Sequence, residues 1–367
     1  MKGLRTLATL WKRPRPPVGT TPSDVVHHEN KWSLLRYRPR PEGVVHRTPI
    51  LLVPSLINRH YVLDLLPDKS FAAYLVAQGH DVYTINWGTP SDEDRYLTFD
   101  DVCDRYLGRA TRLVAQASPR GKTHLLGYCL GGTLAAIYTS VRPERVASLA
   151  LLAAPVRFED DGMLSAWTRD PQFDVSTLVG ALGNVPEVLM QSAFKMLRPT
   201  LTASKLVHFL DKAWTDESLE GFMALEMWGN DNIPFPGKCY ERYVEELYRN
   251  DALLKGTFTL SGKEAHLENI TCPTLAVTFE HDTIVPWASA AALIDRVGAE
   301  DKQRLHLPGS HVGAVVSQKA SKTLWPKLSA WWAARDGEAA AARTEPASIA
   351  PAPPLAQVER NASAKAG

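Results

Sequence analysis

Short apolar runs alternate with amphipathic stretches through the first half of the chain. Continuous apolar segments at 48–55, 81–88 and 146–156 are typical of strands that are buried on both faces. Between them, "FAAYLVAQG" and "VCDRYLGRATRLVAQA" place apolar residues at helical spacing, and "KWSLLRYRP" is interpreted as the opening strand. Short strands that alternate with helices predict parallel pairing and a doubly wound α/β sheet.

The pattern changes in the middle of the chain. Residues 157–270 are rich in helix-like stretches, Trp, Met and Phe, and they contain no clear buried strand. The strand rhythm resumes with "TLAVTFEHD" at 274–282 and "RLHLPGSH" at 304–311. Because ligands of open α/β sheets bind at the carboxyl ends of the strands, we interpret 157–270 as a helical cap insertion over the active site. The core would then comprise residues 23–156 and 271–335.

Both ends of the chain differ in composition from the part between them. Residues 1–22 carry several Lys and Arg before the first acid, Asp24, and are rich in proline, which predicts a mobile basic arm. The charged side chains of this arm could simply be solvated. The alternative is that the arm binds an anionic lipid or a granule coat. Residues 336–367 are rich in Ala, Pro and Ser and cannot bury enough apolar surface to order themselves, so a disordered tail is predicted.

The composition is that of an ordinary globular protein. The 367 residues are 45% hydrophobic and 22% charged, and the formal net charge of +1 gives no support for a nucleic-acid partner. No apolar run approaches the roughly 20 residues that a transmembrane segment needs, and no signal peptide pattern is present, so a cytoplasmic location is expected. The four cysteines show neither CxxC pairs nor metal-like spacing, and the sequence suggests neither a metal nor a cofactor.

The stretch "LLGYCLGGT" at 125–133 has the pattern of a nucleophile elbow, a sharp strand-to-helix turn that exposes a nucleophilic side chain. Gly127 and Gly131 flank Cys129, and larger side chains at either glycine would collide in such a turn. A short strand precedes the motif, and a helical pattern follows it and stops near Pro143. The alternative is a buried structural cysteine beside a glycine-rich turn.

Two residues further along the chain are candidates to complete a triad with this cysteine. Asp282 ends the predicted strand at 274–282, and His311 follows the next one. Taken alone, Asp282 could be a helix cap or turn residue before Pro286, and His311 could be structural. The order nucleophile, acid, histidine is nonetheless that of the α/β-hydrolase fold. We therefore predict that His311 takes the thiol proton of Cys129 while Asp282 orients the imidazole.

Several longer stretches resemble the polyhydroxyalkanoate synthase family, in particular the short catalytic subunits of its class III. The resemblance covers about residues 20–335 and is carried by "TPSDVVHHENKWSLLRYRP", "TPILLVPSLINRHYVLDLLPDKSF", "GHDVYTINWGTPSDEDRYLTFDDV", "LLGYCLGGTLA", "TFEHDTIVPWASA" and "PGSHVGAVVS". It implies that Cys129 is the acylated nucleophile, His311 the general base and Asp282 the acid partner.

The chain departs from the family pattern beside the triad. Many members have a histidine directly after the triad aspartate, whereas here Thr283 follows Asp282 and His281 precedes it. An auxiliary role of a second histidine is therefore not carried over. The cap resembles the family least, although "EMWGNDNIPFPGKCYERYVEELYRNDALLKG" at 226–256 is still similar. The substrate range is accordingly the weakest implication of the resemblance.

A thiol nucleophile suits a 3-hydroxyacyl-CoA substrate, because attack on a thioester makes another thioester and keeps the acyl group activated. The hydroxyl of a bound hydroxyacyl chain or incoming monomer would then attack acyl-Cys129, and repetition would grow a polyester. The tetrahedral oxyanion needs two backbone N–H donors. We predict Leu130 as one donor and Ile57 or Asn58 as the other, with simple turn chemistry as the alternative for "LIN".

The cap is expected to exclude water, which would otherwise hydrolyse the acyl-enzyme. Aromatic residues of the cap are candidates to line the site, with ordinary core packing as the alternative for each: Trp167, Phe173, Phe222, Trp228 and Phe235. Two of the remaining cysteines, Cys103 and Cys272, are interpreted as packing residues, and Cys239 has no neighbouring base in the sequence.

Three functions are compatible with these observations. The first is polymerisation of 3-hydroxyacyl-CoA, the second is hydrolysis of thioesters or polyester by the same triad, and the third is non-catalytic granule binding. The complete triad disfavours the third, and cysteine in place of serine favours transfer over hydrolysis. The resemblance also implies work on a growing polyester chain at a granule surface, a homodimer and, for a short chain of this type, a second synthase subunit.

Overall fold

The computed structural model describes residues 14–196 and 216–336. Its strands are β1 (Ser23–Glu29), β2 (Trp32–Tyr37), β3 (His46–Val53), β4 (His80–Asn86), β5 (Thr123–Tyr128), β6 (Val146–Leu152), β7 (Thr259–Leu260), β8 (Lys263–Glu264), β9 (Thr274–Phe279) and β10 (Lys302–Leu307). Eight of them form one sheet in the order β1-β2-β4-β3-β5-β6-β9-β10, and β7 pairs with β8 in a separate ribbon. From β4 to β10 the neighbours in the large sheet are parallel, whereas β2 is antiparallel to both β1 and β4. The predicted mostly parallel sheet is confirmed.

The helices follow the strands in the expected alternation. They are α1 (Phe71–Ala77), α2 (Gly108–Gln116), α3 (Leu130–Val141), α4 (Met163–Arg169), α5 (Val175–Leu182), α6 (Glu187–Met196), α7 (Asp216–Asn230), α8 (Gly237–Arg242), α9 (Ala252–Lys255), α10 (Trp287–Arg296), α11 (Gly313–Val316), α12 (Gln318–Thr323) and α13 (Trp325–Ala333). A π-helical segment, Asp101–Leu107, leads directly into α2, and another, Tyr243–Arg249, continues directly from α8. Short 3-10 helices lie at His60–Leu63, Pro67–Lys69, Asp92–Tyr96, Pro143–Arg145 and Leu267–Asn269.

Strand β1 was not predicted from the sequence, and its burial explains why. It is the outermost strand of the sheet, and Val26 is its single buried residue. In the central strand β3, by contrast, Ile50, Leu51, Leu52 and Val53 are all completely buried. A strand covered on both faces leaves a continuous apolar run in the sequence, and an edge strand does not.

Helices cover both faces of the sheet. Leu51 and Val53 of β3 pack in one hydrophobic cluster with Leu134 of α3, whereas Ile50 and Leu52 pack in a second cluster with Trp332 of α13. Successive side chains of a strand point to opposite faces, so the two clusters lie on the two sides of the sheet. The core is therefore a three-layer α/β/α arrangement with the sheet in the middle.

The chain leaves the sheet after β6 and returns to it at β9. The described residues between these strands form α4–α9, a π-helical segment, the β7–β8 ribbon and the 3-10 helix Leu267–Asn269. Arg242 Nη1 in this insertion donates to Asp100 Oδ1 at 2.9 Å, and Asp251 Oδ1 accepts a hydrogen bond from Phe158 N at 2.7 Å. These contacts join the insertion to the core and join its two ends to each other. The range predicted as a cap also contains residues 197–215, which lie outside the described residues.

The first described residues are tied to the core. Gly19 N–H donates to Asp64 O at 2.8 Å, and Thr21 Oγ1 donates to Asp64 Oδ1 at 2.5 Å. Both residues fall within the range predicted as a basic arm. Residues 1–13 of that arm and residues 337–367 of the predicted tail lie outside the described part of the chain. None of the described helices combines the length and the apolar character that crossing a membrane requires.

Candidate active site

Cys129 occupies a strained turn between β5 and α3. Its backbone has φ 54° and ψ −132°, a combination that residues other than glycine rarely adopt. Cys129 N–H donates to Leu152 O at 3.0 Å, and Gly132 N–H donates to Cys129 O at 2.9 Å, so the turn is held on both sides. The half-buried thiol therefore lies at the carboxyl end of β5, where the elbow motif predicts a nucleophile.

The two glycines of the motif are explained by distances across the turn. A Cβ atom at Gly127 would lie 2.2 Å from the Cα of Gly132, and a Cβ atom at Gly131 would lie 2.1 Å from the carbonyl oxygen of Val53. Both distances are far below van der Waals contact, so any side chain at either position would displace backbone. The second distance also shows that the elbow packs directly against the end of β3.

His311 and Asp282, the two residues predicted to complete the triad, lie in hydrogen-bonding contact. The Nδ1 atom of His311 is 2.7 Å from Asp282 Oδ2. The other carboxylate oxygen of Asp282 accepts hydrogen bonds from the N–H groups of Ile284 and Val285, each at 2.9 Å. Since Asp282 is bonded through both oxygens and its side chain is almost fully buried, it holds one orientation of the imidazole ring.

The charge state of His311 is governed by its partners. Burial alone lowers the pKa of His311, but the negative charges of Asp282 and Cys129 and the hydrogen bond to Asp282 outweigh burial and raise this pKa above its ordinary value. The ring also lies against Tyr128, with 5.3 Å between ring centroids. His311 thus bonds to Asp282 through Nδ1 and interacts electrostatically with Cys129, an arrangement in which the imidazole could exchange a proton with the thiol.

The predicted oxyanion donors lie on two neighbouring elements. Leu130 is the first residue of α3, so its N–H is among those that no carbonyl of the same helix can satisfy. The loop that carries Ile57 and Asn58 follows β3, whose end packs against the elbow. Ile57 N–H donates to Ser55 Oγ over a long 3.3 Å, and the Asn58 side chain donates to Asn232 Oδ1.

Two tyrosines near Cys129 were missed by the sequence analysis. Tyr243 and Tyr248 are buried residues of the insertion, and Tyr243 Oη donates to Tyr248 Oη at 3.4 Å. Burial is the main cause of the raised pKa of both phenols, and the charge of Cys129 raises it further. The helical spacing of Tyr240, Tyr243, Leu247 and Tyr248 would have indicated a buried face, although not its proximity to the thiol.

The five aromatic residues predicted as cap lining have different surroundings. Phe235 is fully buried and stacks on Tyr243 with 5.7 Å between ring centroids, so it belongs to the cluster near Cys129. Trp228 Nε1 instead donates to Arg59 O at 2.9 Å. The remaining three are half-buried: Trp167, Phe173 and Phe222. Of these, Phe173 packs against the guanidinium of Arg249.

The other three cysteines lie in packed surroundings. Cys103 and Cys239 are fully buried, burial raises the pKa of both thiols, and Cys103 Sγ donates to Leu134 O at 3.3 Å. Cys272 is half-buried, and burial raises the pKa of its thiol to about 11. Within residues 14–196 and 216–336, no group of three or more His, Cys, Asp or Glu is arranged to hold a metal ion.

Comparison with solved structures agrees with the architecture. A soluble variant of monoglyceride lipase from Saccharomyces cerevisiae is 12% identical, with a TM-score of 0.54 over 87% of this chain and 98% of that chain. The monoacylglycerol lipase of Paleococcus ferrophilus is 15% identical, with a TM-score of 0.50 over 83% of this chain and 100% of that chain. The family model of the alpha/beta hydrolase fold matches residues 48–311. These matches confirm the predicted α/β-hydrolase fold.

Sequence comparison identifies the family within this fold. The family model of the Poly-beta-hydroxybutyrate polymerase (PhaC) N-terminus matches residues 16–75. The poly(3-hydroxyalkanoate) polymerase subunit PhaC of Allochromatium vinosum is 35% identical over 85% of this chain and 88% of that protein. The proteins of the same name from Haloferax mediterranei and Haloarcula marismortui are 36% and 33% identical, over 65% and 69% of their own lengths and 87% of this chain. The chain belongs to the poly(3-hydroxyalkanoate) polymerase family of acyltransferases, as its motifs predicted.

Proposed function

We propose that this chain polymerises 3-hydroxyacyl-CoA into a polyester and releases CoA at each addition through an acyl-Cys129 intermediate. The observation that carries the proposal is the 2.7 Å contact between His311 Nδ1 and Asp282 Oδ2, together with the strained elbow that presents Cys129. Membership of the polymerase family selects the substrate class, since relatives are named poly(3-hydroxyalkanoate) polymerases.

The first half-reaction transfers the acyl group to the enzyme. Cys129 Sγ attacks the carbonyl carbon of the thioester while His311 accepts the thiol proton. The new sulfur–carbon bond forms, the bond between that carbon and the sulfur of CoA breaks, and CoA leaves with the proton held by His311. Because Asp282 occupies Nδ1 of His311 at 2.7 Å, Nε2 is left for the thiol.

The negative charge that develops on the carbonyl oxygen needs fixed donors. Leu130 N–H at the start of α3 is proposed as one donor, and the N–H of Ile57 or Asn58 as the other. The long bond from Ile57 N–H to Ser55 Oγ, 3.3 Å, is weak enough to be exchanged for a bond to an oxyanion.

The second half-reaction explains why the nucleophile is a thiol and not a hydroxyl. The hydroxyl of a bound hydroxyacyl chain attacks the carbonyl carbon of acyl-Cys129, His311 accepts the hydroxyl proton, and the proton then returns to the sulfur as the carbon–sulfur bond breaks. An ester bond forms and the chain grows by one unit. A thioester on the enzyme retains the activation of the CoA thioester for this step, which an oxygen ester on serine would partly lose.

The insertion is proposed as a cap, encompassing residues 157–270, that keeps water from the acyl-enzyme. A compact aromatic cluster supports this role: Tyr248 contacts Tyr243 and Phe158 with ring centroids 5.2 Å and 4.9 Å apart, and Phe235 stacks on Tyr243. Excluding water also strengthens the electrostatic interactions within the site. The same triad would serve a thioesterase or a polyester depolymerase if water reached acyl-Cys129.

The deciding experiment follows CoA and polymer together. Purified protein is mixed with 3-hydroxybutyryl-CoA, and free CoA and insoluble polyester are measured for the wild type, Cys129→Ala and Cys272→Ala. We expect CoA release with polymer in the wild type and in Cys272→Ala, because Cys272 precedes β9 whereas Asp282 follows its opposite end, and neither product in Cys129→Ala. CoA release accompanied only by free 3-hydroxybutyrate would replace the polymerase by the hydrolase.

We propose further that the chain acts as a homodimer with a second synthase subunit, in the cytoplasm at the surface of polyester granules. The relatives are named polymerase subunits, which supports a partner chain. Light scattering of the purified chain during turnover tests this: full polymerising activity of a monomer without any added protein would contradict both the dimer and the second subunit.

A further inference from the structure

One stretch of the insertion runs beside the loop that follows β3. Ile233 N–H donates to Ile57 O at 3.0 Å, and Asn58 forms an isolated antiparallel bridge with Asn232. The Asn58 side chain also donates to Asn232 Oδ1. The main chain of the insertion is thus paired with the residues from which the second oxyanion donor is proposed to come.

Asp231 completes this contact with both of its carboxylate oxygens. Asp231 Oδ1 accepts a hydrogen bond from Arg59 Nε at 3.0 Å, and Asp231 Oδ2 accepts one from Tyr61 Oη at 2.8 Å. We call the contacts between residues 57–61 and residues 228–233 the latch. A single carboxylate therefore holds the loop at two side chains that are two residues apart.

Arg59 connects the latch to the core. Its Nη1 donates to Gly88 O at 3.3 Å, in the segment after β4, and its own carbonyl oxygen accepts from Trp228 Nε1 at 2.9 Å. The guanidinium is 26% exposed and the Asp231 carboxylate 40% exposed, so their attraction alone is modest. The significance of the pair lies in the geometry that it imposes on the loop rather than in its contribution to overall stability.

The loop held by the latch begins at the end of β3, beside the elbow. A Cβ atom at Gly131 would lie 2.1 Å from Val53 O and 2.4 Å from Pro54 O, so the start of the loop touches the turn that carries Cys129. Ile57 and Asn58 follow within four residues of Pro54. A shift of the loop would therefore move the proposed donor relative to the carbonyl that Cys129 attacks.

We propose that Asp231 is a positioning residue, which sets the place of the oxyanion donor on the loop 57–61 and couples the cap to the acylation of Cys129. The inference rests on the proposed function only in that acylation of Cys129 passes through a tetrahedral oxyanion. Without the carboxylate, the buried Tyr61 hydroxyl loses its acceptor and Arg59 loses one of its fixed contacts. The donor is then free to move from the oxyanion, and a misplacement of about 1 Å can cost about a hundredfold in rate.

The test uses acylation by p-nitrophenyl butyrate, which needs the oxyanion but no polymerisation. Cys129 Sγ attacks the ester carbonyl, a carbon–sulfur bond forms, p-nitrophenolate leaves, and His311 takes the thiol proton. The variants are Asp231→Ala, Asp231→Asn and, as a matched control, Glu220→Ala, an exposed carboxylate on helix α7, which ends one residue before Asp231. The rate of alkylation of Cys129 by iodoacetamide is measured in parallel, since this reaction develops no oxyanion.

We expect Asp231→Ala to lower the maximal acylation rate at least about tenfold with KM within about twofold of the wild type, because the lost interaction acts only in the transition state. Asp231→Asn can still accept from Arg59 through its amide oxygen and donate to Tyr61 Oη through its amide nitrogen, so it should recover most of the rate. Glu220→Ala should match the wild type, and alkylation should be unchanged in all variants.

The outcomes separate this inference from the proposed function. An acylation rate of Asp231→Ala equal to that of the wild type would overturn the inference, and so would a parallel loss of alkylation, which would indicate general damage to the site. If the wild type is acylated by the ester but makes no polymer from 3-hydroxybutyryl-CoA, the proposed function fails while the role of Asp231 stands. A wild type that neither substrate acylates would overturn both.

Discussion

Asp282 Oδ2 and His311 Nδ1 lie 2.7 Å apart in surroundings where both side chains are almost inaccessible to solvent. The remaining oxygen of Asp282 accepts two backbone N–H groups, so the carboxylate cannot turn away from the imidazole. One tautomer of His311 is therefore preferred, with Nδ1 protonated toward Asp282 and Nε2 available to the thiol.

Replacing this carboxylate should impair chemistry much more than folding. We expect Asp282→Asn to lower kcat for CoA release at least about 100-fold, because an amide in this position favours the wrong tautomer of His311. Asp295→Asn, an exposed carboxylate on α10, serves as the control and should retain the wild-type kcat. Steady-state kinetics with thermal melting distinguishes the two effects, and an active Asp282→Asn enzyme would exclude the assigned role.

The elbow should tolerate no side chain at Gly131. A Cβ atom there would lie 2.1 Å from Val53 O, so Gly131→Ala must displace the backbone at the end of β3. We expect it to lower the free energy of unfolding by about 2 kcal/mol or more, within the range of overpacked cores. Urea denaturation measures the change.

A matched glycine gives the opposite expectation. Gly180 lies in α5, and an added Cβ atom would meet nothing within 4 Å. Gly180→Ala should therefore be neutral or raise the free energy of unfolding by up to about 1 kcal/mol, because alanine is the better helix former. If both alanine variants changed stability equally, close packing at the elbow would not be the reason for its glycine.

Two buried histidines should make the fold sensitive to acid. His80 bonds to Ser329 Oγ and His124 to Ser148 Oγ, and burial lowers the pKa of both imidazoles to about 3. Because the unfolded chain binds these protons at about pH 6.5, the stabilising effect of the neutral rings is complete above that pH and is lost as the pH falls toward 3. At pH 5 the loss should be about 2 kcal/mol per histidine.

The pH dependence can be assigned with single variants. His124→Asn should reduce the difference in unfolding free energy between pH 7 and pH 5 by about 2 kcal/mol. The exposed His28 in β1 provides the control, and His28→Asn should leave that difference as in the wild type. If the unfolding free energy of the wild type and of both variants fell equally between pH 7 and pH 5, His124 would not contribute to the acid sensitivity.

The aromatic cluster should determine how much acyl-enzyme is lost to water. Tyr248 packs edge-on against Tyr243 and Phe158, so Tyr248→Ala would remove a ring from this cluster, whose two tyrosines interact electrostatically with Cys129. We expect the ratio of free 3-hydroxybutyrate to polymer to rise several-fold, because water gains access to the thioester. Chromatography of soluble and insoluble products measures the ratio. Tyr96→Ala, at a side chain that is 69% exposed, should leave it unchanged.

Local patterns were sufficient for the core of the fold, and they selected the residues that are proposed for the centre of the site. The buried run of β3 and the strand–turn–helix pattern around Cys129 were readable because burial on both faces and close backbone contact each restrict residue types over a few consecutive positions. The order of Asp282 and His311 after the cysteine followed from the same fold. These features could be predicted from the sequence alone.

The surroundings of the site were decided only by the tertiary structure. Strand β1 escaped detection because an edge strand needs few apolar residues, and Tyr243 and Tyr248 could be assigned to a buried face but not to Cys129. Arg59 and Asp231 are 172 positions apart, and a side-chain hydrogen bond over such a separation leaves no periodicity in a single sequence. Whether the two groups meet depends on where the chain returns after the sheet, and the packing of the whole insertion determines that position.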